Sequence, residues 1–269
     1  MTDAGLERVA GDAAPVLDRL TRLGFATKGL LTILVGVLAL RHALGQGGRL
    51  TGQEGVIRSL RDQPFGQVAL VVLTVGLSAY ALWMFVSAFV DPQGKGTRIV
   101  GIVERVSFFV TGIGSATLAF GSLNLLLGKG GVRTGLDDLA AGVLTPFFGR
   151  WLVGLAGAAV VIAGILQMRL GVTAGFRHDL RRDLSPWLRR ITIVSGRFGY
   201  IALGPLSLLV GSSLVRVAVE YDPSEAGGWD EALGLLSRFG EGTWALGVAA
   251  VGLILYGLYF MLLVRARAL

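Results

Sequence analysis

Three arginines head short segments built to one pattern: Arg22-x-Gly24-Phe25-x-x-x-Gly29, Arg105-x-Ser107-Phe108-x-x-x-Gly112 and Arg197-x-Gly199-Tyr200-x-x-x-Gly204. A guanidinium is permanently charged and offers a planar fork of donors, so its characteristic chemistry is bidentate binding of phosphate or carboxylate. Beside an aromatic ring at the start of an apolar run it has a plainer use, anchoring a helix at a membrane boundary. Arg22, Arg105 and Arg197 are therefore the candidate lipid-phosphate site. If the three segments share one plane around an axis, their guanidinium groups repel unless an anion or acid intervenes, and the one acid next to them in sequence is Glu104, beside Arg105.

The rest of the chain supplies little for catalysis. It has no cysteine, which excludes disulfides, thiolate metal sites and a Cys nucleophile. Its two histidines, His42 and His178, fall on opposite sides of the topology derived below and read as loop residues. Gly-x-Gly-x-x-Gly variants follow no strand, so no dinucleotide site is expected. No Asp or Glu lies inside the apolar runs, where a coupled pump would need one. The chain thus reads as a protein that is not an enzyme and carries no metal or cofactor.

The elements that position the arginines are apolar and long. Residues 63–90, 106–128, 151–168, 198–215 and 242–264 contain no Asp, Glu, Lys or Arg. A sixth run, about 23–40, carries only Lys28, one and a half turns inside, where a lysine can snorkel to the headgroups. With 53% apolar residues, 16% charged and a mean hydropathy of +0.67, the chain belongs in a bilayer. The first run is too long for a signal peptide and is followed by Arg41-His42, so it stays.

The six runs form pairs. Gly66, Gly76, Tyr80 and Trp83 in the second run match Gly242, Gly252, Tyr256 and Tyr259 in the sixth, while the fourth keeps Gly149 and has Ala159, Ala163 and Leu166 at the other places. The offsets are 83 residues and then 92 or 93, the mark of one helix pair used three times, with drift in the middle copy. The units span 17–92, 98–172 and 187–266 after an N-terminal segment, 1–16. The expected fold is an all-α integral membrane protein of six transmembrane helices, as three tandem two-helix repeats with pseudo-threefold symmetry.

Lys and Arg number 16 on the side holding both termini and 9 on the other. Both termini are therefore expected in the cytoplasm, in a multi-pass protein of the cell membrane. The formal net charge of +7 follows this rule, so nucleic acid is not expected, and the basic stretch from Arg177 to Arg190 is explained by topology and anionic lipid. Even numbers of spans per unit orient the copies alike and exclude inverted repeats. Amphipathic pieces precede the even spans at Glu54 to Leu60, Leu136 to Leu144 and Trp229 to Phe239, and are expected to lie flat on the leaflet or to cap the bundle. Glycines such as Gly112, Gly114, Gly154 and Gly157 are expected at close helix contacts, and Pro205 at a kink.

The Arg-x-Gly-aromatic openings and the Gly-x-x-x-Tyr of the even helices resemble the domain-of-unknown-function 1206 family, bacterial membrane proteins with a triplicated two-helix unit, over roughly residues 17–266. The resemblance implies architecture and brings no activity, cofactor or catalytic residue. The function expected is a non-enzymatic membrane protein that binds or organises lipid, anionic lipid on the cytoplasmic side being its partner. The alternative is a passive channel or small-molecule permeation pathway.

Overall fold

A computed structural model of the chain describes residues 3–46, 50–91, 96, 99–129, 149–181, 183–220, 229–238 and 244–266. Among these it is all-helical. The helices are α1 (Asp3–Ala43), α2 (Gln53–Arg61), α3 (Gly66–Phe89), α4 (Ile99–Leu126), α5 (Gly149–Thr173), α6 (Pro186–Glu220), α7 (Trp229–Arg238) and α8 (Trp244–Ala266), with a 3-10 turn at Gly175–Asp179 after α5. Six of them, all but α2 and α7, are long and apolar enough to cross a membrane. α1 runs unbroken from Asp3 through the first apolar run. The third amphipathic piece and the first are the helices α7 and α2; the middle one, Leu136 to Leu144, lies outside the described residues.

The long helices close a ring of contacts in chain order, α1 on α3, α3 on α4, α4 on α5, α5 on α6, α6 on α8 and α8 back on α1. In lipid the hydrophobic effect no longer drives helices together, so small residues that admit close backbone approach decide where they meet. The pairs between units use this directly. A Cβ on Gly29 would lie 2.7 Å from the Gly257 carbonyl oxygen and one on Gly257 would lie 2.6 Å from that of Gly29, which locks α1 to α8. Gly157 with Gly211, and Gly164 with Gly204, lock α5 to α6 in the same reciprocal way.

Within a unit the repeated motif explains itself. A Cβ on Gly24 would lie 2.8 Å from the Tyr80 backbone, and one on Gly199 would lie 2.6 Å from that of Tyr256, so Arg-x-Gly packs onto Gly-x-x-x-Tyr. One turn further on, Gly76 receives Thr27 and Gly252 receives Ala202. Expectations for single glycines divide: Gly154 faces Ala218 and Gly112 faces Phe85, whereas Gly114 faces open space. Pro205 sits inside α6, which continues as one helix from Pro186 to Glu220.

Among the described residues two clusters of buried side chains occupy the interior. On the end remote from the chain termini, Val56 and Ile57 of α2 and Ala232 and Leu233 of α7 are buried in one apolar cluster with Leu31, Leu77, Leu206, Leu246 and Leu253. These short helices therefore cap the bundle rather than lying flat on the leaflet, because their apolar faces are buried against the long helices. Towards the terminal end the ring holds an aromatic cluster of Phe25, Tyr80, Trp83, Phe176, Tyr259 and Phe260, flanked by Tyr200 and Tyr256. The closest ring centroids, Tyr256 to Phe260 at 4.9 Å and Phe176 to Tyr259 at 5.0 Å, are edge-on pairs of the kind aromatic quadrupoles favour.

Candidate functional site

Each motif arginine lies where one unit meets the preceding one, and each spends donors on the carbonyl end of a neighbouring helix. Arg105 on α4 donates from Nε to Ala88 O at 2.7 Å and from an amino nitrogen to Phe89 O at 3.1 Å, both at the end of α3. Arg197 on α6 donates to Gly171 O at 3.3 Å and Val172 O at 3.1 Å, at the end of α5. Arg22 on α1 donates to Val264 O at 2.8 Å, near the end of α8. The last carbonyls of a helix have no partner within it and carry the negative end of its dipole, so a guanidinium there is held by both hydrogen bonding and charge.

The arginines are thus spread over three seams and already bonded, rather than being unpaired groups converging on an axis. The acid that accompanies the motif is also a different one. Asp18, one turn before Arg22, accepts its Nε at 2.8 Å, whereas Arg105 donates to the backbone carbonyls of Ala88 and Phe89. Sequence adjacency pointed to Glu104, but on a helix the neighbour that can reach is four residues away.

Two shallow grooves lie on the same terminal end and share Trp187, a residue 71% exposed. One, of about 380 Å³, runs between the start of α6 and the end of α8 and is lined by Ser185, Trp187, Leu188, Met261, Leu262 and Arg265. The other, of about 330 Å³, is lined by Trp187, Arg190, Ile191, Val194 and Ser195. Each joins an apolar floor to a guanidinium. The nearby Arg181 forks onto Asp183, raising its own proton affinity and holding the Asp183 carboxyl below its usual value, while the Arg181 backbone N–H donates to Ala266 O at 2.9 Å.

A second polar feature lies inside the ring. Lys28 Nζ donates to Gln53 Oε1 at 3.0 Å and stands 5.8 Å from the centre of the Tyr80 ring. It therefore turns inward to the start of α2 instead of snorkelling to the nearer headgroups. Sequence reading missed Gln53, whose one signal was an amphipathic helix opening just after a glycine-rich break. Elsewhere polar side chains stitch helices together: Thr74 donates to Ser122 at 3.0 Å between α3 and α4, and Ser207 to Gln167 at 3.0 Å between α6 and α5. Thr111 bonds within its own helix, to Ser107 O. Among the described residues no group of three or more His, Cys, Asp or Glu is placed to hold a metal ion.

Six apolar helices with charge gathered at their ends define a multi-pass helical membrane protein. The pattern of the Domain of Unknown Function (DUF1206) family matches residues 23–91 and, a second time, residues 198–267. The chain is also 33% identical over 258 residues, 96% of its length and 94% of the relative's, to the Uncharacterized protein YxxB of Bacillus subtilis (strain 168). It belongs to the DUF1206 family. No solved structure matches it. The two matched regions are the first and third helix pairs, the ones that keep the Gly-Tyr seam, and the drifted middle pair lies between them.

Proposed function

We propose that this protein is a non-enzymatic component of the cell membrane that binds anionic phospholipid at the face holding its two termini, and that this face is cytoplasmic. The observation that carries the reading is the pair of grooves at Trp187, of about 330 and 380 Å³, where an indole, an apolar floor and Arg190 or Arg265 meet. The motif arginines belong to the same rim. Arg22, Arg105 and Arg197 keep N–H groups beyond those spent on carbonyls, and these would meet lipid phosphate at the seams between units. The excess of basic residues on this side supports the orientation.

Three units about a pseudo-threefold axis fit the same picture. Each arginine reaching the end of the preceding unit's second helix, with Arg22 closing the circle onto α8, is what such an axis would produce. The two buried clusters and the glycine-locked helix seams support a structural and lipid-organising role over a passive permeation pathway.

Full-length protein purified in mild detergent from its membrane should carry phospholipid measurable by mass spectrometry. The double variant R190Q/R265Q, which leaves the helix-end bonds of Arg22, Arg105 and Arg197 in place, should lose roughly half or more of the anionic lipid and little of the zwitterionic. R22Q/R105Q/R197Q should lose further anionic lipid, and the triple Lys variant should keep part of it. Unchanged lipid in both Gln variants would sink the reading and leave these arginines as helix caps.

A further inference from the structure

The two grooves at Trp187 repeat one set of groups. In the first, Arg190 and Ser195 accompany Ile191 and Val194; in the second, Arg265 and Ser185 accompany Leu188, Met261 and Leu262. Each therefore offers one guanidinium, one hydroxyl and an aliphatic floor, and Trp187 belongs to both. Helix geometry makes them adjacent. Trp187, Arg190, Ile191 and Val194 recur at three- and four-residue steps, so they share one face of α6. Leu188 lies about 100° round the helix from Trp187, where Met261, Leu262 and Arg265 of α8 complete the second groove.

Neither guanidinium is spent within the protein. Arg22, Arg105 and Arg197 bond to helix ends, and Arg181 forks onto Asp183. Among the described residues Arg190 and Arg265 form no ion pair or side-chain hydrogen bond, and both are exposed. Two free forks with one indole in common, each next to apolar surface, are complementary to a ligand with two like halves. Each half carries a phosphate and an apolar part, and the link between them is short. A lipid with a single phosphate fills one groove and leaves the other guanidinium unmatched.

Resting on the lipid reading above, we propose that the two grooves are one site for a phospholipid with two phosphates on a single headgroup, diphosphatidylglycerol. One phosphate meets Arg190 and the other Arg265, the chains follow the two aliphatic floors, and the glycerol link passes Trp187. Joining the halves makes the second contact intramolecular, so this lipid is favoured over two separate one-phosphate lipids without any further contact.

The test places delipidated full-length protein in nanodiscs of phosphatidylcholine containing either diphosphatidylglycerol or phosphatidylglycerol at matched phosphate content, with retained lipid counted by native mass spectrometry. Wild type should hold the two-phosphate lipid at least about tenfold more tightly than the one-phosphate lipid. R190Q or R265Q alone should bring it down to about the one-phosphate level. The double variant should hold both lipids equally, at the level left by the motif arginines. R190K/R265K should keep part of the preference, and Arg189→Gln, which removes an exposed charge lining neither groove, should keep all of it. Since Arg190 and Arg265 are exposed, the thermal midpoints of their variants should match wild type. Equal affinity for the two lipids, losses in the single variants that merely add, or a loss with Arg189→Gln as large as with R190Q would overturn the proposal and leave the broader lipid reading standing. Retention of no anionic lipid would overturn both.

Discussion

Inside the first unit Gly24 lets α1 come down on the backbone of Tyr80, and inside the third Gly199 lets α6 do the same on Tyr256. Inside the middle unit the matching positions hold Ser107 and Ala163, and Gly76 is replaced by Ala159. The seam is correspondingly looser: 33% of the α4 span and 17% of the α5 span are buried, against 44–50% for the other four. Glycine and tyrosine act as a pair here, one removing bulk so that the other's backbone can approach, and losing both leaves α5 held mainly by α6 through Gly157 and Gly164. Successive helix pairs therefore differ in cohesion, and the difference is carried by a handful of atoms.

Overpacking the tight seams should have the largest effect. Gly24→Leu or Gly199→Leu would force four heavy atoms into a space that lacks room for one, at a cost of roughly 2–3 kcal/mol, so thermal unfolding in detergent should fall by about 5–10 °C. Ser107→Leu, at the matching place in the loose seam, should cost well under half of that. Equal losses at all three positions would show that the middle seam is as close as the others.

A smaller effect is expected from the arginine caps. Arg197→Gln removes the side-chain bonds to Gly171 O and Val172 O at the end of α5, the helix with the least buried span, whereas Arg105→Gln does the same to the better-buried α3. Hydrogen exchange in the last turn of the capped helix should quicken in both, by about tenfold for α5 and less for α3. The Lys variants should recover part of the protection. If α3 frays as much as α5, side-chain capping outweighs packing and the comparison between units loses its force.

How much of this was legible follows the same division between backbone and side chain. Six apolar runs, their pairing and the drift of Ala159 and Ala163 stood in the sequence because a span needs some 20 apolar residues and leaves a composition signal. The arginine triplet was visible too, but its partners were not, since a carbonyl has no residue type and Val264 is 242 positions from Arg22. Lys28 with Gln53 was hidden for a related reason. An amphipathic helix such as α2 reads alike whether its greasy face meets lipid or caps the bundle, and only the tertiary contacts of Val56 and Ile57 decide.

The smallest effect should come from the ion pair of Arg181 with Asp183, which contrasts with the link that Arg22 makes at the same helix end. The Asp183 carboxyl is held below its usual value, first by the hydrogen bond from Arg181. A depressed carboxyl contributes stability above its unfolded pKa and loses it as pH falls through the folded one, so any effect belongs below about pH 4. Both side chains are largely in solvent, at 44% and 66% exposure, where screening leaves such pairs nearly without net effect. Asp183→Asn should therefore leave the thermal midpoint unchanged within about 1 °C, with no difference from wild type opening between pH 7 and 5. What holds this loop to α8 is the backbone bond from Arg181 to Ala266 O, together with Phe176 and Leu180 in the aromatic cluster, and neither titrates. Phe176→Ala, by contrast, should lower the midpoint by several degrees, and a larger fall for Asp183→Asn than for Phe176→Ala would mean that charge, not packing, seats the loop.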